Sequence, residues 1–406
     1  MIKYMHPTEE IKGERSTKLL GKRIVVGITG SIAAVETIKL CRELIRHGAE
    51  VYTVMTENST KIIHPYALEF ATGKKPILTL TGEIQHVQLC GKTRNPADLL
   101  LIAPCTANTI SKIALGIDDT PVTTFATTAI GSGIPILIVP AMHISMYENK
   151  IIKENIENCK KVGIKFIYPK VEGKKAKLPD VEDIVENVIR CIGRKDFTNK
   201  KVLVIGGSTA EPIDDVRVIT NLSSGKTALF IAKSVFERGG ELKLFYGYGK
   251  IEIPSYLSMF TSRFTTVDSL VKLLDKTDLK LFDIIILCAA ISDFKPKEKV
   301  KGKISSDKEK LSIELIQTPK IIEIIRKKNK RATLVAFKLE PNAKDIKKKA
   351  LKLADKGADF IIANTTDSID SDYSEIWIFD KKGKTVFHKK DYKEKIADYI
   401  LDAITG

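Results

Sequence analysis

Twice along this chain a strand-like apolar run ends in a glycine turn and passes directly into a helix-compatible stretch. The first is Arg23 to Thr29 before Gly30-Ser31, and the second is Lys201 to Ile205 before Gly206-Gly207-Ser208. Strands that alternate with helices in this way pair in parallel, and parallel sheets are covered on both faces. The rhythm continues after each start. In the first half, Glu50 to Met55, Leu99 to Ala103 and Ile134 to Val139 read as further strands. In the second, Leu242 to Tyr246, Asp283 to Leu287, Thr333 to Phe337 and Phe360 to Ala363 do so. The stretch Glu375 to Lys390 reads as a hairpin turning at Lys382-Gly383, followed by a final helix from Tyr392 to Ile404. The pattern breaks once, in the polar segment GRKDFTNKK after a predicted helix over Val181 to Ile192. At 406 residues, and with roughly 150 residues to a domain, the chain is expected to be α/β, with two doubly wound Rossmann-like domains at 1–192 and 193–406. Ligands in such sheets gather at the carboxyl ends of the strands, so the turns carry the functional question.

The longest apolar runs, Leu99 to Pro104 and Ile284 to Ala290, have strand length and not bilayer length, so no membrane partner is expected. The mixed-charge N-terminus reads as a short tail and not as a signal peptide, and the chain reads as cytoplasmic. Its six cysteines include no C-x-x-C pair, which fits free thiols in a reducing compartment better than a zinc site. The net charge of +16 raises the question of nucleic acid. The lysines are spread over predicted helix faces (Lys347, Lys348, Lys349, Lys352) and a loop from Lys295 to Lys303, and aromatic residues do not interleave with them. No nucleic-acid partner is expected.

In the first half, IVVGITGSIAAVE (Ile24 to Glu36) places Gly30-Ser31 at a strand-to-helix turn. Free N–H groups there make an anion seat, although a glycine at that turn also serves tight packing alone. The run IAPCTANT (Ile102 to Thr109) puts Thr106 and Asn108 where they either cap a helix or contact a ligand. The segment VPAMHISMYEN (Val139 to Asn149) brings Met142 and His143 to the same edge. His86, in GEIQHVQL, is a lone histidine; such residues are most often structural, yet the type also suits a general base.

These pieces, G-I-T-G-S-I-A-A, His86 in an H-V-x-L setting, A-P-x-T-A-N-T and P-A-M, stand in an order and spacing that resembles the flavin-containing cysteine decarboxylases over residues 20–190. That family includes the phosphopantothenoylcysteine decarboxylase of coenzyme A synthesis. The resemblance implies a flavodoxin-like fold holding FMN at Gly30, Ser31, Ile32, Thr56, Thr106, Ala107 and Asn108. It implies His86 as the catalytic base, with Met142 and His143 at the substrate. In that family FMN oxidises the substrate thiol toward a thioaldehyde, and the carboxylate then leaves. Two departures stand out. The family's P-A-M-N reads Pro140-Ala141-Met142-His143, and the flap Pro169 to Asp180 lacks the cysteine that reprotonates the product in bacterial members. Lys174, Lys177 or water would have to take its place.

The second half carries GGSTAEPIDDVRVITNLSSGKTALFIA (Gly206 to Ala232). Ser223, Ser224 and Gly225 offer hydroxyls and N–H groups that can cradle a phosphate, and Asn221 is a neutral donor suited to an oxyanion. A serine-capped helix would explain the serines and Gly225 without any ligand, but not Arg217 and Asn221. The run CAAISDFKPKEKVKGKISS (Cys288 to Ser306) sets Asp293 beside a lysine loop ending at Lys303, a combination suited to a magnesium–triphosphate. The ordinary reading of that loop is a solvated one.

The motifs E-P-I-D-x-V-R-x-I-T-N-x-S-S-G-K, A-A-x-S-D-F, T-P-K-I-I, V-A-F-K and D-F-I-I-A-N make residues 198–405 resemble the phosphopantothenate–cysteine ligases. The resemblance implies that CTP, with Mg2+ at Asp293, activates the carboxylate of 4′-phosphopantothenate as an acyl-cytidylate, which cysteine then attacks. Asn221 and Lys303 would carry that chemistry. The nucleotide would contact Ala289, Asp293, Lys303, Pro319, Lys320, Ile321, Ile322, Phe337, Lys352 and Lys356. The product, 4′-phospho-N-pantothenoylcysteine, would then lose its carboxylate in the first half to give 4′-phosphopantetheine. Fusion of the two activities is the prokaryotic arrangement and favours CTP over ATP. The resemblance also implies a homo-oligomer, since the decarboxylases assemble as trimers or their multiples and the ligases as dimers. One alternative joins an active ligase to a flavoprotein domain of different chemistry. Another is a basic binding or regulatory protein that carries its flavin or nucleotide without turnover.

Overall fold

The computed structural model describes residues 6–168, 170–172, 175–305 and 310–405. The chain forms two compact units, Met1–Arg194 and Lys195–Gly406.

In the first unit, strands Glu50–Met55, Arg23–Ile28, Leu99–Cys105, Ile136–Pro140 and Lys165–Phe166 lie side by side in that order, all parallel. The order is 2-1-3-4-5, that of a flavodoxin-like sheet. Period-two alternation divides each strand between two cores. Ile24, Val26 and Ile28 face the same layer as Leu99 and Leu101, under helices Thr37–Arg46 and Val181–Ile192. Val25, Leu100 and Ile102 face the opposite layer, with Phe125 and Ala126 of helix Pro121–Ser132. The stretch after Ser31 was expected to enter one amphipathic helix. It instead makes a 3₁₀ turn, Ile32–Glu36, before the α-helix begins at Thr37. The sequence IAAVE has no residue that marks such a tightening, because 3₁₀ and α turns share their propensities.

In the second unit, strands Thr261–Arg263, Glu241–Tyr246, Lys201–Gly206, Ile284–Leu287, Thr333–Glu340 and Phe360–Thr365 run parallel in the order 3-2-1-4-5-6, the Rossmann arrangement. Strands Tyr373–Asp380 and Thr385–Tyr392 then extend the sheet antiparallel, as the expected hairpin. The outer strand is mostly exposed and carries His388, Lys389 and Lys390. Val202, Val204, Ile284 and Ile286 bury one face, and Leu203, Ile205 and Ile285 the other. Between the first strand of this sheet and the helix that follows, the chain forms a short hairpin, Ala210–Pro212 with Val218–Thr220. Three-residue strands fall below the length at which alternation is visible.

Helix Lys226–Glu237 rides so close on the first strand that a Cβ at Gly206 would overlap that of Ala228. Gly206→Ala is therefore expected to destabilise the second unit by about 1–3 kcal/mol through overpacking, measured as a lower urea midpoint.

Candidate functional site

In the first unit three neighbouring strands end in hydroxyl-capped turns. Ser31 caps the 3₁₀ turn, accepting from Ala33 N–H at 3.4 Å. Thr56 caps helix Glu57–Thr60, accepting from Ser59 N–H at 3.4 Å. Thr106 caps helix Ala107–Leu115, accepting from Thr109 N–H at 3.3 Å. The buried Thr29, which sequence reasoning passed over, fastens two of these ends together. Its hydroxyl donates to the Pro104 carbonyl at 2.9 Å and accepts from Thr106 N–H at 3.0 Å. A Cβ on Gly30 would lie 2.7 Å from that of Asn58, so only glycine lets these turns approach. Ala107 is buried, Asn108 is exposed, and the apolar Ile32 is 78% exposed beside the Ser31 turn. The result is a cluster of neutral donors at the topological switch of the sheet, suited to a phosphate monoester with an apolar ring beside it.

His86 lies in helix Gln85–Cys90, which starts from Ile84 in a left-handed conformation at φ 47°. Its ring meets Phe125 edge-on at 6.5 Å, and its buried Nδ1 has no hydrogen-bond partner among the described residues. An orphaned ring nitrogen of this kind is costly unless a ligand or water completes it. His143 caps helix Ile144–Tyr147, its Nδ1 accepting from Ser145 N–H at 3.2 Å. That bond assigns the proton to Nε2, leaving a donor where the family has asparagine. Met142 and His143 pair with Lys175–Lys177, which pairs in turn with Lys170–Glu172, so the flap folds back onto the strand that carries Met142 and His143. Lys174 lies outside the described residues, as does the Lys177 side chain.

In the second unit a cleft of about 700 Å3 opens at the switch between strands Lys201–Gly206 and Ile284–Leu287. It gathers Asn221, Ser223, Ser224, Gly225, Ala289, Asp293, Pro319, Lys320, Ile321, Ile322, Phe337 and Lys356. The Asn221 side-chain N–H donates to the Ala290 carbonyl at 3.2 Å. Gly225 precedes helix Lys226–Glu237 at φ +77°, and Ser223 accepts its N–H at 3.3 Å. Asp293 accepts from Lys320 at 2.6 Å. No group of three or more metal-binding side chains exists among the described residues, so a magnesium ion here would have to arrive on phosphates with one carboxylate. Lys303 and Lys352 are not among the residues that line the cleft.

The cleft also holds cations that sequence reasoning missed: Lys226, Lys338 and Lys393. Lys393 is 4% exposed and donates to the Ser368 carbonyl at 2.7 Å; burial, with Lys226 nearby, lowers its pKa. The S-S-G-K motif itself pointed to Lys226. Nothing in DYKEKIADY marks Lys393 apart from the lysines around it.

Of the E-P-I-D-D-V-R motif, Glu211 is buried and accepts Val267 N–H at 2.8 Å. Asp214 is buried and accepts from Val216, Arg217 and Ile304 N–H groups and from the Arg217 guanidinium. Burial alone would raise its pKa, but these donors hold it well below the usual carboxylate range. A pKa below the unfolded value means the stabilisation is complete above the ordinary carboxylate range and fades as pH falls through it. From about pH 5 downward the denaturation midpoint of the second unit is expected to fall progressively, and Asp214→Asn to flatten that fall while lowering the midpoint at neutral pH.

Residues 12–193 match the Flavoprotein family, and residues 197–406 match the DNA/pantothenate metabolism flavoprotein C-terminal domain. The chain is 44% identical to the coenzyme A biosynthesis bifunctional protein CoaBC of Thermococcus kodakarensis, over 98% of this chain and 99% of that protein. It is 41% identical to the protein of the same name from Methanocaldococcus jannaschii, over 98% and 97% of the two chains. Among solved structures, the DNA/pantothenate metabolism flavoprotein from Streptococcus pneumoniae is 26% identical over 51% of this chain and 98% of that chain, with a TM-score of 0.45.

Proposed function

The chain belongs to the family of coenzyme A biosynthesis bifunctional proteins, with a phosphopantothenoylcysteine decarboxylase and a phosphopantothenate–cysteine ligase, and from that membership we propose how its two sites divide the work. The observation that carries the ligase assignment is the cleft in the second unit, which assembles Asn221 with the Ser223–Gly225 turn, Asp293 and the Pro319–Ile322 segment from three separate stretches of sequence.

In this reading the 4′-phosphopantothenate carboxylate attacks the α-phosphorus of CTP and displaces pyrophosphate. The amine of cysteine then attacks the acyl carbon of the resulting acyl-cytidylate and releases CMP. The Ser223–Gly225 turn holds a phosphate, Lys226, Lys320, Lys338, Lys356 and Lys393 balance charge, and Phe337 lines the cleft floor. The Asn221 amide donates to the oxygen that gains charge at the acyl carbon. Lys303, on a loop that does not line the cleft here, is assigned as a further cation for the same centre from its motif. Asp293, which here pairs with Lys320, would be the carboxylate to hold a magnesium ion, whose charge would neutralise the nucleotide phosphates.

In the first unit Gly30, Ser31, Ile32, Thr56 and Thr106 to Asn108 hold FMN, and the neutral capped turns fit its phosphate. Bound FMN supplies the two-electron chemistry that makes the carboxylate able to leave. His86 takes the substrate thiol proton, for which its unpartnered Nδ1 is suited. His143 offers Nε2–H to the departing carboxylate, while Met142 lies beside it on the same short strand.

The test is a coupled assay on the full chain with CTP or ATP, cysteine and 4′-phosphopantothenate. Pyrophosphate release with CTP, followed by carbon dioxide release and a flavin absorbance in the purified protein, is expected. Flavin without carbon dioxide release would instead support a flavoprotein domain of other chemistry.

A further inference from the structure

The loop that carries Lys303 is tied to the turn of the hairpin Ala210–Pro212/Val218–Thr220 on both sides of that lysine. The Val300 N–H donates to the Ile213 carbonyl at 2.9 Å. Asp215 and Gly302 are bonded twice: the Gly302 N–H donates to the Asp215 carboxylate at 2.8 Å, and the Asp215 N–H donates to the Gly302 carbonyl at 3.1 Å. The Ile304 N–H donates to the Asp214 carboxylate at 3.1 Å, and Arg217 returns a bond to the Ile304 carbonyl at 3.2 Å. Lys299 closes the set with an ion pair to Asp215 at 2.6 Å. The residues immediately before and after Lys303 are thus both held, while Lys303 itself is exposed and its side chain makes no hydrogen bond or ion pair to the hairpin among the described residues.

The chemistry of the two acids explains why the motif reads D-D. Asp214 serves four donors at once, which a single amide oxygen cannot do. Asp215 needs both an acceptor for Gly302 and a charge for Lys299. The strand Val218–Thr220 that leaves this turn leads directly into Asn221. One hairpin therefore fixes the position of both residues assigned to the ligase reaction.

We propose that Asp214 and Asp215 are positioning residues of the ligase, clamping Gly302 and Ile304 so that the amine of Lys303 is held in register with Asn221. The inference rests on the assignment of Lys303 made above. Asp215 is the residue to test, because its side chain is half exposed and its loss leaves the core intact. In the full chain, Asp215→Ala is expected to lower ligase kcat about tenfold with the KM for CTP little changed, since small misplacements of a reacting group act on the chemical step. Hydrogen exchange is expected to rise over residues 299–304 and not elsewhere. Asp215→Asn, which keeps the acceptor for Gly302 but loses the charge that pairs with Lys299, should recover only part of both effects, and carbon dioxide release from 4′-phospho-N-pantothenoylcysteine should stay at the wild-type rate. Unchanged kcat in Asp215→Ala overturns the clamp, as does a fall in kcat with no local rise in exchange. Full ligase activity in Lys303→Gln overturns the assignment beneath it, and so separates the two failures.

Discussion

Asn221→Asp is expected to abolish ligation, with a loss of at least about a hundredfold in the rate of product formation, the scale set by removing one preorganised oxyanion donor. The substitution keeps size and shape but changes the electrostatics twice. It removes the N–H pair, one of which now donates to the Ala290 carbonyl, and it sets a carboxylate against that carbonyl in the cleft proposed to hold the nucleotide phosphates. Repulsion acts most strongly on the step in which negative charge grows at the acyl carbon. Activation of the carboxylate by CTP involves a different centre, so pyrophosphate release is expected to suffer less than amide formation, and the acyl-cytidylate to accumulate. Carbon dioxide release from added 4′-phospho-N-pantothenoylcysteine should be unchanged, because the two units have separate hydrophobic cores and separate sites. Wild-type ligation in this variant would remove Asn221 from the mechanism. Parallel loss of both activities would contradict independent sites.

His86→Asn is expected to have the converse profile, with carbon dioxide release down by about 10²–10⁴-fold, the usual worth of a positioned general base. The flavin absorbance of the purified protein should persist, because His86 lies outside the Ser31, Thr56 and Thr106 turns assigned to the cofactor. Asparagine retains polarity at the edge of Phe125 but cannot take up a proton near neutral pH. Loss of flavin together with activity would make the residue part of the cofactor seat. Retained carbon dioxide release would show that some other group takes the thiol proton.

The parts of the fold that the sequence made legible are those in which local signals agree. Helix Val181–Ile192 was expected at those bounds because Asp180 precedes a strongly amphipathic run and Gly193 ends it. The long parallel strands were visible because burial on both faces produces runs such as LLLIA, with no polar residue to confuse them. Strand order was not visible, since pairing is decided by contacts between distant segments. The site divides in the same way. Ser223 to Gly225, Asn221 and Asp293 follow strands or open helices, where position in the sequence implies position at the sheet edge. Lys393 opens the last helix, and only the completed sheet carries it into the cleft. Thr29 looked like the last residue of a strand. Its role as a fastener between two strand ends depends on Pro104, 75 residues away. Lys303 was grouped with the nucleotide contacts through its motif, whereas the fold attaches its loop to a hairpin turn.

The outer strand Thr385–Tyr392 ends the second sheet with backbone donors and acceptors that no further strand pairs among the described residues. An open edge of this length invites another copy of the same edge to continue the ladder. Lys389 and Lys390 sit together on it, so two such edges approaching each other would bring like charges into register. The opposite edge, Thr261–Arg263, is only three residues long and gives a newcomer little to grip. A charged long edge and a very short one both work against indefinite extension of the sheet from copy to copy.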